Sequence, residues 1–91
     1  MKKAAKIIIK GTVQGIYFRN FIKENADDLE LKGFVRNLEN KDVEVLCEGE
    51  IENVDKLYEL CKTGPKNAKI KDISIQETSF QDFKEFKILH I

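Results

Sequence analysis

The spacing of apolar and polar residues changes several times along this chain, and each change marks a new element. Ala5 to Val13 is a nearly continuous apolar run carrying Ile7, Ile8 and Ile9. β-branched residues suit a pleated, packed surface, and a run without strict alternation predicts a central strand. Gly11 closes it, and Gly15 follows. From Phe18 the period lengthens. Phe18, Phe21, Ile22, Asn25, Ala26 and Leu29 recur at helical spacing on one mostly apolar face, which predicts a first helix to about Leu29.

Gly33 opens a second strand, Phe34 to Leu38, and the polar run Glu39-Asn40-Lys41-Asp42 separates it from a third. The third strand alternates cleanly, with Val43, Val45 and Cys47 on one side and Glu44, Leu46 and Glu48 on the other. Two strands with a short polar loop between them predict a hairpin. Val54, Leu57, Tyr58 and Cys61 then form one helical stripe. Glu52 and Asp55 lie early in that helix and Lys62 late, in keeping with its dipole. Gly64-Pro65 ends it, because Gly accepts a left-handed cap and Pro cannot continue a helix. A fourth strand runs from about Ala68 to Thr78. Its apolar face switches between Ile70 and Ile73, which points to a bulge or an irregular start. Phe83 to Ile91 reads as a short last strand with Phe86 and Ile88 on one face.

The order is β-α-β-β-α-β plus a terminal strand. This is the split βαβ, ferredoxin-like α+β sandwich, with an antiparallel sheet and two helices on one face. Such a fold hosts many functions, so it assigns none. Ninety-one residues suffice for a single core, and one domain over 1–91 is expected.

Charge narrows the function. Sixteen basic and sixteen acidic residues give a formal net charge of zero. A charged polymer or anionic membrane then has no global field to pull on, so neither a nucleic-acid nor a membrane partner is expected. RNA recognition on this fold also needs aromatic residues on the open sheet face and a basic surface, and the strand pattern offers neither. The basic residues are fourteen Lys and only two Arg, Arg19 and Arg36. Arg presents a planar fork that grips phosphate or carboxylate in a bidentate way, a task Lys performs poorly. Cys47 and Cys61 have no metal-ligand spacing and read as reduced core thiols. The basic start Met1-Lys2-Lys3 precedes an apolar stretch too short and interrupted for a signal peptide or membrane span, so a cytoplasmic protein is expected. A monomer is expected as well.

The segment that carries chemistry is Gly11-Thr12-Val13-Gln14-Gly15-Ile16-Tyr17-Phe18-Arg19. It joins a strand end to a helix start. Free amides at a helix N-terminus attract anions, and Arg19 in the first turn is placed to reach the same anion. This segment resembles the acylphosphatase signature Gly-x-Val-Gln-Gly-(Val/Ile)-x-(Phe/Tyr)-Arg. Three further blocks resemble that family in order and spacing: Gly33-Phe34-Val35-Arg36-Asn37, Val43-Glu44-Val45 followed by Glu48-Gly49, and Gly64-Pro65 with Ala68. The resemblance implies hydrolysis of the carboxyl–phosphate bond of small acyl phosphates, with inorganic phosphate as product and no cofactor or metal. It implies that Arg19 binds the phosphate, that the backbone amides of Gln14, Gly15, Ile16, Tyr17 and Phe18 cradle it, and that Asn37 orients the attacking water. A domain that binds acyl or carbamoyl phosphate within a larger enzyme is the alternative.

Three positions depart from the family pattern. The turn Leu38-Glu39-Asn40-Lys41-Asp42 lacks Gly, so Asn40 is expected to take the left-handed conformation. Leu29-Glu30-Leu31 lacks the usual Gly, which calls for a differently built helix end. Leu38 replaces a smaller residue beside Asn37. Strand alternation puts Arg36 on the face opposite Asn37, away from the site. His90, one residue from the end, reads as a surface strand residue, and Lys10 as solvated surface.

Overall fold

The chain leaves its first strand, an interior strand of the sheet, at the point where the sequence places the chemistry. The computed structural model describes residues 1–13 and 16–90. Five strands and two helices follow in the order β1 (Lys2–Thr12), α1 (Ile16–Asp28), β2 (Lys32–Asn37), β3 (Val43–Glu50), α2 (Ile51–Thr63), β4 (Lys69–Glu77) and β5 (Phe86–Leu89). The sheet order is β4-β1-β3-β2-β5. β1 pairs with β3 on one side and β4 on the other, both antiparallel, which explains its apolar run.

Ala5, Ile7, Ile9, Val35, Val43, Val45 and Cys47 face both helices. They form one cluster with Phe18, Ile22 and Ala26 of α1 and Val54, Leu57 and Cys61 of α2. The two helical stripes expected from periodicity are therefore the buried faces. α1 begins two residues before the apolar period does, because Ile16 and Tyr17 point outward and carry no core signal. The expected bulge is also present. Lys10 pairs with Asp72 and Gly11 with Ile70, so Lys71 is skipped by the ladder. Gly11 has φ 135, and a Cβ there would lie 2.0 Å from the Lys69 carbonyl oxygen. Only glycine permits that approach of two backbones.

The sheet departs from a wholly antiparallel arrangement at its last strand. β5 pairs with β2 in parallel, so the sheet is mixed. The reason lies in residues 78–85. β4 and β5 occupy opposite edges, about 19 Å apart at normal strand spacing. The segment returns at the end where β4 finishes, so β5 must run alongside β2 in the same direction. Glu48 holds this strap: its carboxylate accepts the backbone N–H groups of Gln81 and of Phe83. Phe83 also meets Phe34 edge-on, with ring centroids 5.8 Å apart. Glu48, on the polar side of an alternating strand, is thus a buried anchor.

Turns take their left-handed residues from unexpected places. At the β2–β3 hairpin it is Lys41, with φ 75, and not Asn40. Asn40 instead accepts the Asp42 N–H through its side-chain oxygen and donates to the Asp42 carboxylate. That local turn leaves the next residue to reverse the chain. At the end of α1, Glu30 takes φ 56 where Gly is usual. Leu31 N–H reaches the Ala26 carbonyl and Glu30 N–H the Asp27 carbonyl, the two bonds of a Schellman cap. Gly64 has the expected positive φ of 69, but its ψ of 179 sends the chain out extended, as a residue before Pro must go.

Two predictions follow from this architecture. Glu30→Gly relieves a left-handed residue and raises the unfolding free energy by about 1 kcal/mol; a denaturant titration giving lower stability would contradict this. Burial pushes the thiols of Cys47 and Cys61 up from 9.0 to about 12, with Lys3 opposing the rise at Cys47. Their contribution to stability is complete below pH 9 and is lost as pH rises toward 12, because only the unfolded thiols ionise in between. At pH about 8 both thiols should resist a disulfide reagent in the folded protein and react on unfolding, since the thiolate is the nucleophile. Rapid native-state labelling would show that the thiols are not buried in this way.

Candidate active site

One end of the sheet collects the motif residues. β1 and β2 finish there, β4 begins there, and α1 starts from the same side. The register fixes the row. Asn37 lies opposite Val43, which lies opposite Ile9, so Asn37 belongs to the helix-facing side of the sheet. Its side-chain oxygen, Oδ1, is buried and has no hydrogen-bond partner. A buried amide oxygen left unpaired costs about 1–3 kcal/mol. Folding alone gives no reason to keep one, so the atom points to a ligand or water.

α1 supplies the donors. Ile16, Tyr17 and Phe18 form its first turn, where backbone N–H groups have no intrahelical acceptor and the dipole is positive. Phe18 is buried and anchors the helix start in the core. Ile16 and Tyr17 are exposed, Tyr17 by 87%. The first turn contains no acidic residue to compete for an anion. Gln14 and Gly15, the other expected cradle residues, lie outside the described residues.

Arg19 is partly buried in the first turn of α1. Its Nη1 stands 3.3 Å from His90 Nδ1. Arg has donors only, so in this contact the His90 ring nitrogen is the acceptor. His90 is exposed, as its terminal position suggests, yet it touches the candidate phosphate-binding residue. The sequence carries no signal for this contact, because it arises from the parallel pairing of β5 with β2. Arg36, by contrast, lies on the open face as alternation predicts. It donates from Nε to Glu44 Oε1 at 2.7 Å and sits over the Phe34 ring. Lys10 is not merely solvated: it pairs with Asp42 at 3.1 Å. Leu38 holds the hairpin turn through backbone bonds with Asp42 and Lys41. Among the described residues, no three His, Cys, Asp or Glu side chains are grouped to hold a metal ion. No helix there is long and apolar enough to cross a membrane.

A helix start with an adjacent Arg and an orphaned amide at a neighbouring strand end can hold a small anion and a water beside it. A family model described as acylphosphatase matches residues 5–88. This chain belongs to the acylphosphatase family.

An acylphosphatase of Acaryochloris marina is 42% identical over 84 residues, covering 92% of this chain and 90% of the relative. One from Pyrobaculum aerophilum is 41% identical over 87 residues, covering 93% and 92%. The crystal structure of the acylphosphatase from Bacillus subtilis superposes with a TM-score of 0.92 at 35% identity, covering 99% of this chain and 100% of that one. Full-length HypF in its phosphate- and nucleotide-bound form contains a similar unit, with a TM-score of 0.88 at 29% identity. There the match covers 99% of this chain but 12% of the other. The acylphosphatase fold thus accounts for the mixed sheet and for both helices lying on one face.

The unpaired Asn37 Oδ1 gives a stability test that needs no substrate. Asn37→Leu keeps the shape and removes the orphaned polar atom, so it should raise the unfolding free energy by about 1 kcal/mol. Urea denaturation checks this; a loss of stability would mean that Asn37 serves the fold.

Proposed function

We propose that this chain hydrolyses the carboxyl–phosphate bond of small acyl phosphates. In this reading Arg19 and the first-turn amides hold the phosphate, and Asn37 orients the attacking water. The observation that carries it is the buried, unpartnered Asn37 Oδ1 at the same sheet end as the α1 N-terminus. Membership of the acylphosphatase family supports the reaction class.

The chemistry fits this small set of groups. Phosphoryl transfer depends on in-line positioning and on stabilising charge over the phosphoryl oxygens. The water oxygen forms a bond to phosphorus while the bond from phosphorus to the carboxyl oxygen breaks. The bonding pair leaves with the carboxylate. Its conjugate acid has a pKa of about 4, so departure needs no general acid. Asn37 accepts a hydrogen bond from the water and aims its lone pair without taking a proton. That proton passes to a phosphate oxygen of the substrate, completing inorganic phosphate. The guanidinium fork of Arg19 and the amides of Ile16, Tyr17 and Phe18 carry the negative charge, with Gln14 and Gly15 completing the cradle. No step calls on a cofactor. Residues 1–91 act in this reading as one domain and as a monomer. The likeness to a unit of HypF favours a second reading, a phosphate-handling domain of a larger protein. The near-complete coverage of the acylphosphatases favours the first.

Acetyl phosphate supplied with a chelator present tests the proposal. Hydrolysis should proceed, and Arg19→Ala should lower kcat/KM by about 100-fold or more, as expected for loss of a donor to developing charge, roughly 3 kcal/mol. Asn37→Ala should lower kcat by a similar factor while inorganic phosphate still inhibits. Absence of hydrolysis, or an Arg19→Ala variant of full activity, would sink the proposal. Loss of phosphate inhibition in Asn37→Ala would overturn the division of roles.

A further inference from the structure

The last strand to join the sheet brings a histidine to the site. β5 pairs with β2 in parallel, one residue for one, from Gly33 with Phe86 to Arg36 with Leu89. The next pair in that register is Asn37 and His90. Side chains alternate along a strand. Phe86 is buried in the core and Ile88 packs against it, so His90 follows them on the helix-facing side. Its hydrogen bond with Arg19 of α1 agrees with that side. His90 therefore stands at the strand end beside Asn37 and in contact with Arg19, the two side chains assigned to the reaction.

The contact requires one protonation state of the ring. A guanidinium only donates, and imidazole has an acceptor only while it is neutral, because both nitrogens donate once it is charged. Protonation of His90 thus removes the acceptor and sets a second cation 3.3 Å from Arg19 Nη1. Histidine is the side chain whose charge ordinarily changes between about pH 8 and 5. β5 packs against α1 and β2. Among the described residues, the charged groups of α1 on this flank are Arg19, Lys23 and Asp27. Lys23 donates to the Phe86 carbonyl and pairs with Asp27, two turns along from Arg19. On β2, Arg36 pairs with Glu44 on the open face. On β5, Lys87 points away from the helices and pairs with Glu85. We propose that neutral His90 is a positioning residue, which holds the Arg19 guanidinium in the plane from which it grips the phosphate, and that protonation of His90 releases that hold. This rests on the phosphate-binding role of Arg19 given above. Arg grips phosphate through a rigid planar fork, so fixing one nitrogen fixes the directions of the remaining donors. His90 touches no reacting atom and takes no proton from the water.

The test compares the wild type, His90→Ala and His90→Asn with acetyl phosphate between about pH 8 and 5. Asn offers a side-chain oxygen near the position of Nδ1 and does not titrate. His90 is exposed, so neither substitution disturbs the core. At about pH 8, His90→Ala should lower kcat/KM about fivefold, the worth of one hydrogen bond, and raise the inhibition constant of inorganic phosphate by a similar factor. His90→Asn should restore both to within about twofold of the wild type. As pH falls, kcat/KM of the wild type relative to His90→Asn should drop about fivefold or more. Without substrate, the Arg19 Nε resonance should move over the same range in the wild type and stay in place in His90→Asn. A ratio that stays constant or rises as pH falls, a His90→Ala variant equal to the wild type, or an Arg19 resonance that does not move would overturn the positioning role. A wild type that hydrolyses no acetyl phosphate would instead remove the phosphate-site reading, and the Arg19 resonance would still decide whether His90 holds that side chain.

Discussion

The backbone contact between Gly11 and Lys69 is the constraint on which the site depends. β1 must pair on both sides to hold the sheet together, yet its chain must then turn out to start α1. At Gly11 the ladder with β4 slips by one residue, and the Lys69 carbonyl occupies the space a side chain would need. The close approach locks the end of β1 against the start of β4, so the turn leaves the sheet from a fixed point. Phe18, buried at the other end of that turn, fixes where α1 begins. α1 therefore starts at the same end of the sheet as Asn37.

Stability and function separate along this line. Ile7, Ile9, Val35, Val45 and the buried apolar residues of the two helices carry the core. The site adds an unpaired amide oxygen and an exposed tyrosine, neither of which helps a protein fold. Local departures from sequence rules that have no structural benefit concentrate at functional positions. Strain elsewhere has a different origin. Glu30 and Lys41 hold left-handed conformations because hydrogen bonds on either side of them fix the chain path.

Much of this was readable from residue order because it depends on local spacing. The stripes of α1 and α2, the skipped residue at Lys71 and the outward direction of Arg36 are all consequences of period. The motif residues from Gly11 to Arg19 and Asn37 stood out for a different reason: their order resembles one family, and the family model matches residues 5–88. What could not be read depends on contacts between distant segments. The parallel placement of β5 needs the strap over 78–85, and the strap needs Glu48, which alternation alone assigns to the polar face. The meeting of His90 with Arg19 follows from that placement, 71 positions apart in the chain. The start of α1 was hidden because Ile16 and Tyr17 are apolar residues that face outward.

The central claim is that a water held at Asn37 attacks phosphorus, with the carboxylate leaving toward the far side. Hydrolysis of an acyl phosphate in oxygen-18 water tests it most directly, with the products read by mass spectrometry. The account predicts that one labelled oxygen enters inorganic phosphate and none enters the carboxylate. Label in the carboxylate would show attack at the acyl carbon and contradict it.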